Sequence, residues 1–365
     1  RAARPRASGR EIRHMRTLLV PAAGRSSRYP DLRPKWVLTH PTGKLMIDMV
    51  LEAMDYRQFD RTVITVIKEH CERHQVDVIL RQIFGSSIDI LVLENETCSA
   101  AETVFQSIVQ AEIEGDLIIK DSDCIVRSTV PARSNFIVGL SIHENSPVDR
   151  IQSKSFIVKD DNDVILDIVE KEVVSNVICV GVYASDAGRF ADAYREIRRS
   201  DVFQRVGELY VSHVMSYLML QKKILFHYIE ADDFVDWGTL EDWYKEIGKH
   251  ETYLFDIDGV ILKNYGKYGE KNWGNTFEPI MDNVRVVKRL SDEGHQIIFM
   301  TSRTEECLGK FRQFLDEQGI RYKTIVSGCF HGKRIIINDF APSNPYPSCE
   351  AVAIMRNDLL EHYLP

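Results

Sequence analysis

Between Thr17 and Lys120 the sequence alternates short apolar runs, rich in β-branched residues, with segments of helical periodicity. The runs predict strands at 18–21, 62–67, 88–93 and 117–120, and the segments between them predict helices at 44–57, 72–83 and 100–112. Strands that alternate with helices form βαβ units, which build a mainly parallel sheet covered by helices. The sequence therefore predicts an α/β fold whose ligands bind beyond the carboxyl ends of the strands.

After Asp123 the predicted strands lie closer together along the chain. They fall at 135–141, 155–158, 164–168 and 177–183, which favours a mixed-sheet insertion that receives a second substrate. Helices predicted at 186–199 and 208–220, a strand at 224–228 and a helix at 239–250 complete this part of the chain.

A new strand pattern begins at Thr252, with only His250 and Glu251 after the preceding helix. Because a length of 365 residues is typical of two domains, we predict one domain at 16–249 and another at 250–365. Residues 1–15 are basic and lack hydrophobic periodicity. We expect them to be an expression leader with the natural start at Met15, and a functional basic arm is the alternative.

The composition narrows the class of protein. A net charge of −8, with Lys and Arg spread along the chain, disfavours a nucleic-acid binder. No apolar run reaches the roughly 18 residues of a membrane-spanning helix, and no signal peptide is recognisable, so we expect a cytoplasmic protein without a membrane span. The seven cysteines have neither disulfide nor metal-ligand spacing and are expected to be reduced thiols.

The loop after the first predicted strand combines small and basic residues. The small residues are Ala22, Ala23 and Gly24, and the basic ones are Arg25, Arg28 and Lys35. Small residues let backbone N–H groups approach a triphosphate closely, while basic side chains neutralise its oxygens. The same pattern occurs in ordinary turns, so this stretch alone leaves both interpretations open.

Three aspartates follow predicted elements at places where a metal could bind. Asp121 and Asp123 come directly after the strand at 117–120, and Asp236 lies at the bend before the helix at 239–250. Asp121 and Asp123 point to the same side if the backbone is extended. Carboxylates from distant parts of the chain suit Mg²⁺, which takes oxygen ligands. Each aspartate could instead stabilise a turn or cap a helix, and that alternative stays open.

Five features now occur in order along the chain: the 22–35 loop, Asp123, Val169-Glu170-Lys171, the segment from Asn176 to Tyr183, and Asp236-Trp237-Gly238-Thr239. Together they resemble the sugar-phosphate nucleotidylyltransferases over about residues 16–248. The resemblance implies a Rossmann-like domain with a mixed sheet. It also implies transfer of a nucleotidyl group from a nucleoside triphosphate, CTP or GTP being favoured, to a sugar phosphate with release of pyrophosphate.

By this resemblance each matching residue has an expected role. The triphosphate is expected at Ala22, Ala23, Gly24, Arg25, Ser26 and Ser27, with Arg28 and Lys35 acting on the reacting phosphates. The nucleotide is further expected near Ser99, Ala100, Glu102 and Asp121, and the acceptor near Glu170, Lys171, Asn176 and Gly181. Mg²⁺ is expected on Asp123 and Asp236. Ser26 departs from the glycine that is usual in the family, and Ser99 could equally cap a helix.

In the second part, the strand run ending at Phe255 is followed by Asp256-Ile257-Asp258-Gly259. This spacing presents a nucleophile and an acid/base side by side at a strand end. It is also typical of a calcium loop, but the later ligands of an EF-hand are absent. The predicted strand at 296–300 ends in Thr301-Ser302-Arg303, and Lys333 precedes a predicted strand at 334–337 that ends in Asn338-Asp339.

These motifs resemble the haloacid dehalogenase (HAD) superfamily of phosphatases over about residues 251–365. The resemblance implies that Asp256 forms an aspartyl phosphate, that Asp258 is the acid/base, and that Thr301 and Lys333 bind phosphoryl oxygens. Mg²⁺ is expected on Asp256, Asp258 and Asp339. Asn338 departs from the acidic residue of many members. The segments 262–279 and 304–332 are too short for a folded cap, so a capless parallel α/β domain is expected.

The two resemblances together predict a bifunctional enzyme of cell-surface polysaccharide precursor synthesis. The phosphatase would trim a phosphorylated precursor to the monophosphate that the transferase activates. Two alternatives stay open. The acceptor could be a small phosphorylated alcohol such as glycerol, ribitol or choline phosphate, or the HAD-like domain could regulate the transferase without catalysis. Assembly into a homo-oligomer is left open.

Overall fold

The computed structural model describes residues 15–24, 29, 32–132, 134–143, 151–200, 208–266, 273, 277–339 and 349–364. The chain divides into two compact units. The first unit consists of the described residues up to Thr39 together with Lys44–Thr239, and the second consists of His40–Gly43 and the described residues from Leu240 onward. The prediction instead divided the chain between residues 249 and 250, and which division separates independently folding domains stays a prediction.

The first unit is built on a large mixed sheet. Its strands are β1 (Arg16–Pro21), β2 (Arg61–Ile67), β3 (Asp89–Leu93), β4 (Asp116–Lys120), β5 (Cys124–Arg127), β6 (Phe136–Ser141), β7 (Ser155–Lys159), β8 (Val164–Glu170), β9 (Val177–Asp186), β10 (Phe226–Glu230) and β11 (Asp233–Asp236). Nine of them form one sheet in the order β3-β2-β1-β4-β9-β6-β10-β8-β7. Strands β3, β2, β1 and β4 are parallel, and β9 runs antiparallel to β4. The predicted mixed α/β fold is confirmed for this unit.

A short ribbon of β5 and β11 was missed by the sequence analysis. Its antiparallel register sets Asp236 opposite Cys124, and the Trp237 N–H donates to the Asp123 carbonyl at 2.9 Å. The ribbon therefore joins the two segments that carry Asp123 and Asp236. Each of its strands has only four residues, which is too few for a hydrophobic pattern to reveal.

Helices cover both faces of the large sheet. They are α1 (Met46–Ala53), α2 (Lys68–His74), α3 (Val76–Phe84), α4 (Ala100–Gln110), α5 (Ala187–Arg199) and α6 (Val211–Leu220). The single helix predicted at 72–83 is wrong, because Gln75 adopts φ +52° and separates α2 from α3. Along β1, Leu18 and Val20 belong to one buried cluster and Leu19 to the other. Burial on both faces explains why the run is apolar without alternation.

The second unit contains a smaller parallel sheet. Its elements are α7 (Leu240–Ile247), β12 (Thr252–Asp256), α8 (Met281–Asp292), β13 (Gln296–Met300), α9 (Gly309–Glu317) and β14 (Thr324–Val326), with the strands in the order β12-β13-β14. Phe255, Phe299 and Phe311 lie in its core.

The strand predicted at 334–337 is wrong. Residues 333–339 have no regular secondary structure, and Ile335 and Ile337 are 73% and 91% exposed. No described strand pairs with this apolar run, so β propensity alone does not make it a strand. Among the helices that the structure describes, none is both long and apolar enough to cross a membrane.

Candidate functional site

A cavity of about 200 Å³ in the first unit brings together the three predicted aspartates and two of the predicted acceptor residues, Glu170 and Lys171. Predicted residues in its lining are Ala100, Asp121, Asp123, Glu170, Lys171, Gly181 and Asp236. Lys154, Tyr210 and Ser212 also line it and were not predicted. No motif marks these three, because each reaches the cavity only through the tertiary fold.

Asp121 is held against Gly181 in this cavity. The Asp121 N–H donates to the Gly181 carbonyl at 2.9 Å. Gly181 has φ +75°, and a Cβ atom added there would lie 2.5 Å from Asp121 Oδ2. Only glycine satisfies both the backbone conformation and the close contact. Gly181 therefore fixes where the Asp121 carboxyl group lies.

The surroundings of Asp121 raise its pKa to about 6. Burial is the largest cause and the nearby Asp123 carboxylate adds to it, while the charges of Lys120, Lys35 and Lys154 oppose the rise. Lys120 is itself buried, and its Nζ donates to the carbonyls of Asp121 and Cys124 at 2.7 and 2.8 Å. Asp121 therefore titrates near neutral pH, whereas an exposed aspartate does not.

Two lysines pair with the other two aspartates. Lys35 Nζ donates to Asp123 Oδ2, and Lys154 Nζ donates to Asp236 Oδ2. All four side chains are at most 24% exposed. The Asp236 carboxylate also accepts from the Gly238 N–H at 3.1 Å. Carboxylate oxygens from two segments around one cavity fit Mg²⁺, which prefers oxygen ligands. The residues present are thus compatible with the predicted ion.

Two of the predicted acceptor residues, Glu170 and Lys171, line the cavity with partners of their own. Glu170 Oε1 accepts hydrogen bonds from the hydroxyls of Ser155, at 2.6 Å, and Ser212. Lys171 Nζ donates to the Tyr210 hydroxyl at 2.7 Å. In this part of the cavity, charged side chains therefore form hydrogen bonds with hydroxyl groups of the protein. Asn176 is exposed and lies outside the lining of the cavity.

The predicted triphosphate loop is described only at its two ends. Ala22 and Ala23 are buried, and Gly24 is exposed with open space around it. Arg25, Ser26, Ser27 and Arg28 lie outside the described residues. At the far end, the Tyr29 hydroxyl lies 2.6 Å from the Trp237 carbonyl and 2.8 Å from that of Thr239. Tyr29 and Lys35 thereby bring this end of the loop beside Asp236 and Asp123.

Ser99 and Glu102 cap the start of α4. The Ser99 hydroxyl accepts from the Glu102 N–H at 3.2 Å, and Glu102 Oε2 accepts from the Cys98 N–H at 2.7 Å. The Ser99 hydroxyl is the helix cap, and Glu102 holds the residue that precedes the cap. Of the segment predicted near the nucleotide, Ala100 is the residue that lines the cavity. Contact of Ser99 or Glu102 with a nucleotide stays a prediction.

In the second unit, Asp258 is bound by a buried arginine. Arg303 is 2% exposed, and its Nε and Nη2 donate to the two Asp258 oxygens at 2.9 and 2.7 Å. Its Nη1 donates to the Trp273 carbonyl at 3.0 Å, and its N–H donates to Thr301 Oγ1 at 3.1 Å. The sequence analysis noted Arg303 but gave it no role. A bidentate pair of this kind fixes both position and orientation of the carboxylate.

Asp256 and Thr301 follow neighbouring strands. In the parallel pair of β12 and β13, Asp256 is opposite Met300, so Thr301 comes next. Burial raises the pKa of Asp256, and the charge of Arg334 opposes this rise. Lys333 and Asp339 are exposed, and no hydrogen bond or ion pair between described residues joins either to Asp256 or Asp258. Arg334 and His331, which were not predicted as site residues, both favour the charged form of Asp256.

No protein-family model and no curated protein matches this sequence. Solved structures do match it. A nucleoside-diphosphate-sugar pyrophosphorylase from Vibrio cholerae RC9 covers 63% of this chain and 99% of its own, at 19% identity and a TM-score of 0.54. The inositol-1-phosphate CTP transferase from T. maritima covers 64% and 96%, at 15% identity and a TM-score of 0.50.

A UDP-glucose pyrophosphorylase complexed with UDP-glucose covers 64% of this chain and 97% of its own, at 13% identity and a TM-score of 0.50. At such low identity the likeness establishes the fold alone. It leaves the HAD resemblance of residues 250–365 as a prediction. Over about two-thirds of its length, this chain therefore has the fold of solved nucleotidyltransferases of the sugar pyrophosphorylase type.

Proposed function

We propose that the first unit transfers a nucleotidyl group from a nucleoside triphosphate to a sugar phosphate or polyol phosphate. The observation that carries this proposal is the cavity where Asp121, Asp123 and Asp236 meet Lys35 and Lys154. In the reaction, a phosphate oxygen of the acceptor attacks the α-phosphorus of the triphosphate, a new P–O bond forms, and the bond to pyrophosphate breaks. The protein forms no covalent bond, so it has to supply orientation and countercharge.

The lysines supply that countercharge. Lys154 lines the cavity and pairs with Asp236, and Lys35 pairs with Asp123, which lines it. From these positions both ammonium groups can bind phosphate oxygens of the two substrates. Mg²⁺ held by Asp123 and Asp236 would neutralise phosphate charge and favour an in-line arrangement. Tyr29 anchors the loop end next to Asp236, which keeps the predicted triphosphate loop close to the reacting groups.

The acceptor chemistry follows from Glu170. Its carboxylate accepts hydrogen bonds from two protein hydroxyls. A carboxylate in this position can instead accept hydrogen bonds from hydroxyls of a sugar or polyol. Lys171 lies beside it and can bind the acceptor phosphate. The names of the similar structures include a sugar nucleotide and an inositol phosphate transferase that uses CTP. These names support a polyhydroxylated phosphate as acceptor. They name both CTP and a UDP-sugar, so several nucleoside triphosphates have to be compared as donors.

Pyrophosphate release tests this proposal. The full chain with Mg²⁺ should be assayed over ATP, CTP, GTP and UTP, each with glucose 1-phosphate, inositol 1-phosphate, glycerol phosphate, ribitol phosphate and choline phosphate. We expect release with one nucleotide and one acceptor class. Lys154→Gln should lower that release, while Lys159→Gln, a lysine at the end of β7 that pairs with Asp163, should not. Pyrophosphate release without an acceptor would contradict the proposal. Absence of release with every pair of nucleotide and acceptor would contradict it as well.

For the second unit we propose phosphate-monoester hydrolysis in two steps. Asp256 attacks phosphorus and the alcohol leaves with a proton from Asp258. Water then attacks the aspartyl phosphate, gives its proton to Asp258, and releases phosphate. Both Asp258 oxygens accept from Arg303, which orients the carboxylate for taking up that proton. Mg²⁺ on Asp256 would neutralise the phosphoryl oxygens.

A second candidate for this unit is binding of phosphate without turnover. Lys333 and Asp339 are exposed, and no hydrogen bond or ion pair between described residues joins them to Asp256 or Asp258. This arrangement favours binding without turnover. Hydrolysis of p-nitrophenyl phosphate with Mg²⁺ separates the two candidates. Turnover that Asp256→Asn abolishes supports the phosphatase, and saturable phosphate binding without turnover supports the regulatory candidate. If turnover occurs, comparing precursor bisphosphates as substrates tests the proposed place of both steps in polysaccharide precursor synthesis.

A further inference from the structure

A cluster of two histidines and a glutamate lies in the second unit and includes none of the aspartates described above. His40 is 2% exposed, Glu246 lies near the end of α7, and His250 follows one turn later. Glu246 Oε1 lies 3.5 Å from His40 Nε2 and 3.7 Å from His250 Nε2. One nitrogen from each imidazole and one carboxylate oxygen all lie within 4.8 Å of one another. We call these residues the His-Glu-His cluster.

We propose that the His-Glu-His cluster binds a divalent transition-metal ion, with Zn²⁺ as the expected occupant. Zinc bonds of the usual length at tetrahedral angles set ligand atoms about 3.3–3.6 Å apart. The two distances to Glu246 Oε1, 3.5 and 3.7 Å, are close to this spacing. The two imidazole nitrogens lie within 4.8 Å of each other. Three protein ligands leave a fourth position for water or another ligand.

The chemistry of the ligands selects the class of ion. His40 and His250 each offer an imidazole nitrogen, and Glu246 offers a carboxylate oxygen. Two imidazoles with one carboxylate suit Zn²⁺, Co²⁺, Ni²⁺ or Cu²⁺, whereas Mg²⁺ and Ca²⁺ prefer oxygen ligands throughout. The cluster thus differs in kind from the magnesium positions expected at the aspartates.

Neighbouring groups orient the ligands. His40 Nδ1 lies 2.8 Å from Thr42 Oγ1 and 3.2 Å from the Thr42 nitrogen. Metal binding through Nε2 requires the proton on Nδ1, where it donates to Thr42 Oγ1 and the weaker contact with the Thr42 N–H is lost. Thr42 is therefore a positioning residue rather than a ligand.

Lys249 provides a second check. Its Nζ lies 3.0 Å from Glu246 Oε2, so this oxygen is engaged and Oε1 remains directed toward both imidazoles. The ammonium group repels a bound cation. Removing its charge in Lys249→Gln should consequently strengthen metal binding, whereas a cluster that serves only as an ion-pair network would gain no metal affinity.

The test is titration of the full chain, previously treated with a chelator, with Co²⁺, followed by visible absorption and then by Zn²⁺ competition. Tetrahedral Co²⁺ with nitrogen ligands absorbs strongly, while Co²⁺ bound to carboxylates and water absorbs weakly. We expect strong bands at one equivalent, displaced by Zn²⁺. His250→Gln and Thr42→Val should weaken Co²⁺ binding by at least about tenfold, and Lys249→Gln should strengthen it.

His362→Gln is the matched control, because this imidazole is 57% exposed and pairs with Asp358 outside the cluster. It should leave the bands unchanged. Thermal unfolding without metal checks that His250→Gln, whose side chain is 35% exposed, retains the fold. Absence of strong bands in the unaltered chain would overturn the proposal. Equal Co²⁺ affinity and spectra in the unaltered chain and in folded His250→Gln would overturn it as well.

Discussion

Asp121 shows how one residue can link stability to the reaction. Its pKa is raised to about 6, so between about pH 4 and 6 the folded state binds more protons at this position than the unfolded state. The free energy of unfolding therefore falls as pH rises through this window, and the cost is fully present above pH 6. A carboxylate kept at such a cost is compatible with a role toward phosphate or metal.

Asp121→Asn should remove that cost. We expect the free energy of unfolding at pH 7 to rise by on the order of 1–3 kcal/mol, and the decrease between pH 4 and 6 to become shallower. Urea unfolding of both proteins at several pH values between 4 and 8 measures this. Parallel stability profiles would show that Asp121 is not the group responsible.

Gly181→Ala should damage the cavity directly. A side chain at φ +75° is strained, and its Cβ would lie 2.5 Å from Asp121 Oδ2. We expect a loss of roughly 1–3 kcal/mol in stability and a clear loss of pyrophosphate release. Gly85→Ala is the matched control, because Gly85 has φ +58° but open space around its Cβ position. If both variants lose the same activity, backbone strain rather than contact with Asp121 is the cause.

Arg303→Lys tests the buried pair in the second unit. Lysine keeps the charge but cannot donate two parallel hydrogen bonds to Asp258. We expect phosphate release from p-nitrophenyl phosphate to fall by at least about tenfold, as misplacement of a proton-transfer group does. Arg312→Lys, at an exposed pair with Glu305, should change little. Undiminished turnover in Arg303→Lys would remove Arg303 from the positioning of Asp258.

Helices and strands were predicted well where a local hydrophobic pattern stabilises them, and poorly where contacts with distant segments do. Strands β1 to β4 were placed within two residues. Both faces of β1, β2 and β4 are buried, which leaves a continuous apolar run. The edge strand β3 is more exposed and was placed from its run of Ile, Leu and Val. The ribbon of β5 and β11 was missed because its pairing is tertiary. Gln75 ends α2 in a left-handed conformation. Such a conformation is usually predicted from a glycine, and the sequence has none at this position.

The sites follow the same rule. Motifs identified Asp123, Asp236 and Glu170, but their partners Lys154 and Ser212 come from segments without a motif. In the second unit the run at 334–337 is apolar and β-branched but forms no strand. The predicted place of Asp339 at a strand end is therefore wrong. Side-chain partners depend on distances through space, which sequence spacing does not contain.

Tyr29→Phe tests the connection between the predicted triphosphate loop and the turn after β11. The variant loses the hydroxyl that contacts the carbonyls of Trp237 and Thr239. We expect stability to fall by about 1 kcal/mol and the KM for the nucleotide to rise more than kcat falls. Tyr217→Phe, whose exposed hydroxyl binds Glu196, is the control. A normal KM in Tyr29→Phe would show that this anchor does not serve nucleotide binding.

In the whole molecule, the two compact units have separate cores. We therefore expect that a substitution in one unit can abolish its reaction without affecting the reaction of the other. The sequence indicated both units through their motifs. The three similar structures described above cover 63% or 64% of the chain, so they bear on the fold of that part and leave the second chemistry to experiment.

The most direct test compares pyrophosphate release and p-nitrophenyl phosphate hydrolysis in the unaltered chain, Asp236→Asn and Asp256→Asn. Asp236 lies at the cavity of the first unit and Asp256 at the end of β12. The account predicts that Asp236→Asn abolishes pyrophosphate release and retains hydrolysis, and that Asp256→Asn does the reverse. Near-normal pyrophosphate release in a folded Asp236→Asn variant would contradict the central claim that this cavity is the nucleotidyltransferase site.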